Sequence, residues 1–202
     1  DELIKTHGEV CALMPYLHLP VQSGDNGVLT TMNRKYNIEQ YISIINRLRE
    51  VRSDMAFSSD FIIGFPGETE QAFKNTINLI EEVKYAQAYS FKYSRRPGTP
   101  GSIMKQQISE AIKTERLKIV QDILDGQQKE FNKSFLGQYL EVLFEKFGRK
   151  DSQIVGKSPY LQSIYIDNVD FKIGDVANLE IITASKNSME GKLIKKYQKV
   201  LN

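Results

Sequence analysis

A single carboxylate, Asp60, stands near the end of an apolar run and precedes a turn rich in glycine and proline, Gly64–Gly67. Residues 56–63 have the composition of a β-strand, and sheets built from βα units bind ligands beyond the carboxyl ends of their strands. A carboxylate at that place can accept hydrogen bonds from a hydroxyl or an amine. It can equally cap the helix that follows the turn. The sequence therefore leaves two interpretations of Asp60 open.

Polar residues also follow an earlier apolar strand, at residues 14–21, where His18, Gln22 and Ser23 lie close together. Gln22 carries an amide that both donates and accepts hydrogen bonds, which suits the orientation of a polar ligand. His18 is either a base or ligand-binding group, or a core histidine whose polar atoms are satisfied. Arg34 follows a short helical stretch and can pair with a carboxylate through two parallel hydrogen bonds, or simply end the helix in solvent.

Two adjacent arginines, Arg95 and Arg96, follow a third predicted strand in a turn stiffened by Pro97 and Pro100. Their guanidinium groups suit a phosphate or carboxylate partner, although the pair also fits an ordinary surface loop. The chain has one cysteine, Cys11, and two histidines, which excludes a disulfide framework and any metal site built only from its own thiolates. It carries no Ser–His–Asp signature and no Walker loop.

The first two thirds of the 202 residues alternate between predicted strands and predicted helices. Strands are predicted at residues 14–21, 56–63 and 86–93. This alternation is typical of right-handed parallel βα units, and three parallel strands are too few to close a barrel. Residues 1–136 are therefore expected to form an α/β domain, either a small three-layer sandwich or the C-terminal half of a larger (βα) barrel. The sequence before Met14 supplies no preceding βα unit, which favours the half barrel.

Two of the predicted helices have clear starting residues. Asn37 can cap a helix whose apolar residues recur at three-to-four spacing, and Ser109 can cap a long final helix. The inner stripe of that long helix is expected to contain Ile112, Leu117, Val120 and Leu124.

After Gly137 the spacing of apolar residues changes from helical to alternating. Five short strands are predicted, at 139–145, 153–157, 160–166, 175–182 and 190–197. Their number and length predict an all-β, five-stranded antiparallel barrel of OB-like size over residues 137–202.

The predicted barrel interleaves basic and aromatic side chains, a combination that can follow a phosphate backbone and stack on bases. It also fits a charged surface over an aromatic core. Residues 1–136 hold 17 basic and 17 acidic side chains, so the net charge of +2 belongs to the barrel. The candidate RNA contacts are Arg149, Lys157, Tyr160, Lys186 and Lys196, together with Arg95 and Arg96.

Composition places the chain among ordinary globular proteins. Hydrophobic residues make up 41% and charged residues 26%, which argues against disorder. The longest apolar runs are far shorter than the roughly 18 residues that cross a bilayer. The start of the chain lacks the pattern of a signal peptide. These features predict a cytoplasmic protein without membrane attachment.

Several segments, in one register along the chain, together resemble the radical S-adenosylmethionine methylthiotransferases. The segments are His18–Gly24, Met32–Arg34, Ser59–Thr69, Ser90–Ser94 and Arg96–Pro100, with Arg95 where the family often has proline. The resemblance is greatest to the MiaB type, which adds a methylthio group to C2 of N6-isopentenyladenosine beside the tRNA anticodon. The region after Gly137 is similar to a TRAM domain, a small β-barrel implicated in RNA binding, and Gly156–Ser163 resembles its tRNA-enzyme form.

The resemblance implies a role for each matched residue. Gln22, Arg34 and Asp60 would contact S-adenosylmethionine, with Arg34 at the methionine carboxylate and the other two at the ribose and nearby polar groups. The adenine would lie beside Ile63, Gly64 and Phe65. The barrel residues would contact tRNA.

The resemblance also implies groups that the sequence itself does not supply. The family holds one [4Fe–4S] cluster on a CxxxCxxC loop and a second on three further cysteines, whereas Cys11 stands alone. The ligands of both clusters are therefore expected upstream of Asp1, and the chain is expected to be a C-terminal fragment that contains no catalytic residue and is inactive alone. In the whole enzyme, a donor such as flavodoxin or ferredoxin would reduce a cluster. The cluster would then cleave S-adenosylmethionine to a radical that removes the C2 hydrogen, before sulfur is inserted.

Other functions stay open on the sequence. One is a free-standing RNA-binding or adaptor protein that keeps a degenerate half barrel. Another is a related methylthiotransferase that acts on threonylcarbamoyladenosine in tRNA or on a ribosomal protein. The ribosomal-protein enzyme typically carries an acidic segment in the TRAM region that is absent here.

Overall fold

A computed structural model describes residues 1–150, 152–167 and 170–197, and for residues 194–197 it describes the backbone alone. Within the described part, no helix is both long enough and apolar enough to cross a membrane.

Two compact units make up the chain. The first contains residues 1–13 and 17–127, and the second begins at Gln128 and also takes in residues 14–16. A single helix continues through Gln127 and Gln128, and the first strand of the second unit starts later, at Tyr139. The boundary expected near Gly137 stays a prediction.

Helices and a small sheet build the first unit. The helices are α1 (Glu2–Glu9), α2 (Asn26–Thr31), α3 (Ile38–Val51), α4 (Glu70–Val83), α5 (Pro100–Ile103) and α6 (Glu110–Lys133), which continues into the second unit. The strands are β1 (Tyr16–His18), β2 (Ala56–Ile63) and β3 (Gln87–Lys92), and the sheet has the order β1-β2-β3.

Strand β2 lies at the centre of the sheet and pairs in parallel with β3, so that Asp60 is opposite Tyr89 and Ile62 is opposite Phe91. On its other side, the chain beyond β1 continues next to β2 through a parallel bridge between Gln22 and Phe61. The parallel βα arrangement predicted from the sequence is confirmed for these strands.

The first predicted strand, at residues 14–21, is wrong in extent, because β1 covers only Tyr16–His18. Pro15 and Pro20 flank it, and proline has no N–H group with which to extend a ladder of hydrogen bonds.

The two faces of the sheet differ in their burial. Phe61 and Ile63 are fully buried, and the Phe61 ring packs edge-on against Tyr85 at 5.5 Å. On the opposite face, Tyr89 and Phe91 are about half exposed, at 48% and 55%. The sheet therefore packs against helices on one face and leaves the face of Asp60 and Ile62 more open, as alternation along a strand requires.

The predicted helix starts are confirmed. Asn37 caps α3 through a capping box with Gln40, and the Ser109 hydroxyl accepts a hydrogen bond of 3.4 Å from the Ile112 backbone N–H at the start of α6. Ile112 itself is 43% exposed, so its place in the inner stripe is wrong. The buried stripe of α6 runs through Lys113, Arg116, Val120 and Leu124.

The second unit is a small closed barrel. Its strands are β4 (Tyr139–Phe147), β5 (Gln153–Lys157), β6 (Ser163–Asp167), β7 (Val176–Ala184) and β8 (Met189–Tyr197), in the order β4-β5-β6-β8-β7. The five-stranded barrel predicted from alternation is confirmed, and Val142, Phe144, Ile164 and Leu179 fill its interior.

Two details of the barrel differ from the prediction. The barrel is not wholly antiparallel, because β6 pairs in parallel with β8 where the barrel closes. Strand β6 also starts at Ser163 rather than at residue 160. A turn occupies the preceding residues: the Ser158 hydroxyl accepts hydrogen bonds from the backbone N–H groups of Tyr160 and Gln162, and Leu161 has a φ of 62°.

Gly24 is the point where the chain after β1 meets α4 most closely. A Cβ at Gly24 would lie 2.5 Å from Thr76 Cα and 2.6 Å from the Asn75 carbonyl oxygen, both of them backbone atoms that cannot rotate away. We expect Gly24→Ala to lower the free energy of unfolding by about 1–3 kcal/mol. Denaturant unfolding monitored by circular dichroism measures this change.

The matched control is Gly126→Ala, in the interior of α6, where an added Cβ meets no atom within 4 Å. This change is expected to raise stability by up to about 1 kcal/mol, because alanine favours a helix over glycine. Equal effects of the two substitutions would contradict the packing described for Gly24.

Candidate functional site

A cavity of about 760 Å³ opens in the first unit at the carboxyl ends of β2 and β3. The residues that line it include Gln22, Arg34, Asp60, Phe65, Tyr93 and Arg96. They come from segments that follow β1, α2 and β3, and from β2 and the turn after it. The strand-end position predicted for a ligand site is thus where the cavity lies.

Asp60 is a cavity residue and not a helix cap. The helix after its strand, α4, is capped by Thr69, whose hydroxyl accepts a 3.1 Å hydrogen bond from the Ala72 N–H. The Asp60 carboxylate instead faces His18, with 3.5 Å between His18 Nε2 and Asp60 Oδ2. Of the two interpretations of Asp60, the helix cap is wrong.

His18 is fixed by two groups on β2. Its Nδ1 lies 2.8 Å from the Ser58 hydroxyl, while Nε2 points to Asp60. The His18 side chain is 45% exposed, so the interpretation of His18 as a core histidine is wrong. Its contacts hold the ring beside the carboxylate that lines the cavity.

Gln22 adopts a backbone conformation that is uncommon for its residue type. Its φ is 74°, in the left-handed region, where a residue with a Cβ is strained by about 1–2 kcal/mol. Two backbone hydrogen bonds of 2.9 Å hold it there, from Gln22 N to the Asp60 carbonyl oxygen and from Ile62 N to the Gln22 carbonyl oxygen. The backbone of Gln22 is thereby fixed at the wall of the cavity, which its side chain lines.

Arg34 reaches the cavity from the turn after α2. Asn33, with a φ of 58°, reverses the chain, and the Arg34 N–H donates to the Leu29 carbonyl oxygen at 2.9 Å. Within the described part of the chain, no carboxylate lies within 4.0 Å of the Arg34 guanidinium. The guanidinium is exposed and lines the cavity, which suits it to an anionic group of a ligand.

Only part of the segment expected to contact adenine lines the cavity. Phe65 does so, and its ring packs edge-on against Tyr93 at 5.0 Å. Ile63 does not, because its side chain is fully buried in the core on the other face of β2. Strand alternation places Ile62 at the cavity instead. The position of Ile63 beside the adenine stays a prediction, and its side chain would not make that contact.

Gly64 has a structural part in the turn below the cavity. Its φ is 75°, and a Cβ there would lie 2.2 Å from Lys113 Cγ, so the side chain of Lys113 closes over it. The Gly64 N–H donates to the Glu68 carboxylate at 3.1 Å, and Arg116 Nη1 donates to the other carboxylate oxygen at 2.7 Å. The turn that carries Phe65 is thus attached to α6.

Glu68 carries a buried charge that the sequence analysis missed. Its position directly after the Gly64–Gly67 turn was the feature that could have identified it. Glu68 is 2% exposed and Arg116 is 8% exposed. Burial raises the pKa of Glu68, and the hydrogen bonds from Arg116 and from Gly64 lower it again in part. Tyr93 and Phe91 were also missed as cavity residues, although each follows Ser90 at the end of β3.

The two adjacent arginines have different surroundings. Arg95 donates from Nε and Nη2 to the Ser102 carbonyl oxygen, at 3.2 and 2.6 Å, and so braces the loop between β3 and α6. Arg96 lines the cavity with its side chain exposed.

In the barrel, the candidate RNA contacts differ in their burial and in their described contacts. Tyr160 packs against Phe131 and Phe135 at ring distances of 5.7 and 5.1 Å, so its ring belongs to the core rather than to a stacking surface. Lys157 donates to the Leu161 carbonyl oxygen and to Ser163, both at 3.0 Å, and so holds a turn. Arg149 is exposed, and Lys186 is half-buried.

The side chain of Lys196 lies outside the described residues. Among the described residues, no group of three or more histidine, cysteine, aspartate or glutamate side chains could hold a metal ion. Cys11 is an exposed free cysteine.

Comparison with known proteins finds two family models and many similar chains. Residues 1–80 match the radical SAM superfamily, and residues 133–194 match the TRAM domain. Proteins named tRNA-2-methylthio-N(6)-dimethylallyladenosine synthase are 52% identical in Rickettsia felis, 53% in Rickettsia prowazekii and 52% in Wolbachia pipientis. These matches cover 96%, 96% and 95% of this chain, but the chain spans only 44% of the length of each relative.

The buried pair of Glu68 and Arg116 predicts a pH-dependent effect. We expect Arg116→Met to cost about 3–5 kcal/mol at neutral pH, because it leaves a buried carboxylate without its partner. Since the folded-state pKa of Glu68 is already raised by burial, losing Arg116 raises it further. In the folded variant Glu68 then stays protonated over a wider range of pH. The free energy of unfolding falls as the pH rises through that range.

The loss caused by Arg116→Met should therefore shrink as the pH is lowered, which denaturant unfolding at several pH values measures. The double variant Arg116→Met with Glu68→Gln is the control, since it removes the buried charge and should recover part of the loss at neutral pH. A loss that does not change with pH would contradict an ionised Glu68.

Proposed function

We propose that this chain, which carries a radical SAM segment followed by a TRAM domain, is part of a tRNA methylthiotransferase and that its cavity binds S-adenosylmethionine. The observation that carries the proposal is the meeting of Gln22, Arg34 and Asp60 around one cavity at the strand ends. The similarity to the dimethylallyladenosine synthases extends over 96% of the chain and supports the same reaction.

The chemistry of the lining fits S-adenosylmethionine. The exposed Arg34 guanidinium would bind the methionine carboxylate through paired hydrogen bonds. Asp60, held by His18 at 3.5 Å, would accept hydrogen bonds from the ribose hydroxyls, and the Gln22 amide would orient neighbouring polar groups. The Phe65 ring and Ile62 would contact the adenine. When bound, S-adenosylmethionine supplies the methyl group and the radical chemistry.

The donor set of this chain does not fit an iron–sulfur cluster, because Cys11 is its one thiol. In an enzyme as long as its relatives, the three parallel strands would form part of a (βα) barrel. Flavodoxin or ferredoxin in the cytoplasm would supply electrons.

The substrate proposed is N6-isopentenyladenosine in tRNA, modified at C2. The barrel would bind the tRNA through cations such as the exposed Arg149 and the half-buried Lys186, whereas Lys157 and Tyr160 would support the turn that precedes β6. A basic surface of this kind gives an affinity that depends on salt and little on sequence.

The first test concerns the cofactor. Asp60→Asn is expected to weaken S-adenosylmethionine binding about tenfold or more, because a neutral amide accepts weaker hydrogen bonds than a carboxylate. Isothermal titration calorimetry measures the affinity. Asp122→Asn, the same change at an exposed position of α6, is the control and should bind like the unaltered chain. Equal affinities for the two variants would contradict the role of Asp60.

The second test concerns RNA. Arg149→Glu and Lys186→Glu are each expected to weaken tRNA binding and to reduce the slope of log affinity against log salt by roughly 0.7–0.9 for each phosphate that the variant no longer neutralises. Fluorescence anisotropy over a range of salt concentrations measures both quantities. Lys118→Glu on α6 makes the same change of charge outside the barrel and serves as the control. An unchanged slope would remove these residues from the RNA surface.

An RNA-binding protein without catalysis is the second candidate, because residues 133–194 match the TRAM domain. A chain that binds tRNA but shows no heat of binding with S-adenosylmethionine would favour this candidate.

A further inference from the structure

The charges that line the cavity do not balance. Its charged side chains are three cations, Arg34, Lys92 and Arg96, and one carboxylate, Asp60. Lys92 is partly neutralised by Glu110 at 3.5 Å, and Asp60 faces His18. Within the described residues, neither Arg34 nor Arg96 has a carboxylate within 4.0 Å.

These two guanidinium groups belong to opposite edges of the sheet. Arg34 is two residues before Tyr36, whose hydroxyl donates to the carbonyl oxygens of Pro20 and Val21, at 3.3 and 3.1 Å, beyond β1. Arg96 follows β3, the other edge strand. Asp60 lies on the central strand between them.

One bound cofactor cannot satisfy both arginines. S-adenosylmethionine carries one carboxylate, together with a cationic ammonium and a cationic sulfonium, so it adds net positive charge to the cavity. If Arg34 takes the carboxylate, Arg96 stays beside a positive ligand without an anion. Like charges that share a cavity repel each other, so a second anion beside Arg96 would be favourable.

Hydrogen bonds hold the backbone of the loop around Arg96, while its guanidinium stays exposed. Arg95 holds the loop through the Ser102 carbonyl oxygen, and the Arg96 carbonyl oxygen accepts from the Thr99 hydroxyl at 2.8 Å and from the Thr99 N–H at 3.2 Å. These bonds fix the backbone of Arg96 and leave its side chain at the rim of the cavity. The planar guanidinium of Arg96, which projects from this fixed backbone, matches the geometry of a phosphate.

We propose that Arg96 binds a phosphodiester of the RNA substrate at the rim of the cavity, beside the nucleotide that is modified. This inference rests on the proposed function, because an RNA nucleotide that reaches the cofactor brings a phosphate on each side. The first unit would then contact nucleic acid as well as the barrel.

The test uses the full chain and an anticodon stem–loop RNA that carries N6-isopentenyladenosine. Arg96→Gln is expected to weaken RNA binding about tenfold, the effect of removing one charge-assisted hydrogen bond, and to reduce the salt slope by roughly 0.7. Arg96→Lys keeps the charge and should recover part of the affinity. Arg47→Gln on α3, which removes the same charge away from the cavity, is the matched control.

A second arm identifies the phosphate. RNA with a neutral methylphosphonate at one linkage beside the target adenosine should bind the unaltered chain and Arg96→Gln equally, because this RNA no longer offers Arg96 a charged phosphate. A constant difference between the two proteins with methylphosphonate at either linkage would overturn the proposal.

Calorimetry with S-adenosylmethionine separates this inference from the function on which it rests. Arg96→Gln that weakens cofactor binding more than RNA binding would assign Arg96 to the cofactor and overturn the inference alone. An unaltered chain that does not bind S-adenosylmethionine would overturn the proposed function. Full RNA affinity of Arg96→Gln, in a chain that binds the cofactor, would overturn only the role of Arg96 at the phosphate.

Discussion

The backbone hydrogen bonds between β2 and the segment that follows β1 determine where the candidate site forms. Gln22 exchanges two of them, with Asp60 and with Ile62, and this places the end of one strand beside the end of the next. On the other side, Tyr93 N donates to the Ile63 carbonyl oxygen at 2.8 Å, which aligns the end of β3 in the same way. Because the strands are parallel and in this register, the polar residues after all three meet at one edge.

A buried ion pair, Glu68 with Arg116, stabilises the turn that follows β2. Glu68 joins the turn after β2 to α6 by accepting from both Gly64 and Arg116. Placing a carboxylate and a guanidinium inside the unit is costly unless each is paired, and here the bonds also fix where Phe65 lies. The long helix thus affects the cavity without lining it.

The sequence was sufficient for elements whose signals are local. Alternation after Gly137 predicted the barrel strands, Asn37 and Ser109 marked helix starts, and the β2 range was predicted residue for residue. It was not sufficient where a side chain's role depends on partners far along the chain. Nothing near Tyr160 shows that its ring packs against Phe131 and Phe135.

The same reasoning explains the mixed outcome at the candidate site. Spacing and resemblance pointed to Gln22, Arg34 and Asp60, and these lie together at the cavity. Successive side chains of β2 point to opposite faces, so Ile62 faces the cavity and Ile63 faces the core. A motif written as a continuous segment does not show which residues share a face. The different surroundings of Arg95 and Arg96 depend on the carbonyl of Ser102, which only the folded loop brings near.

At Gln22, the left-handed backbone conformation lowers the stability of the folded state, while the side chain lines the cavity. Glycine adopts that conformation without a steric cost, so a search for heat-resistant variants would favour glycine at position 22. The same replacement would delete the amide that faces the cavity. Selection for stability alone would therefore remove a polar group from the cavity, so the stability of this turn and the chemistry of the cavity make opposite demands on one residue.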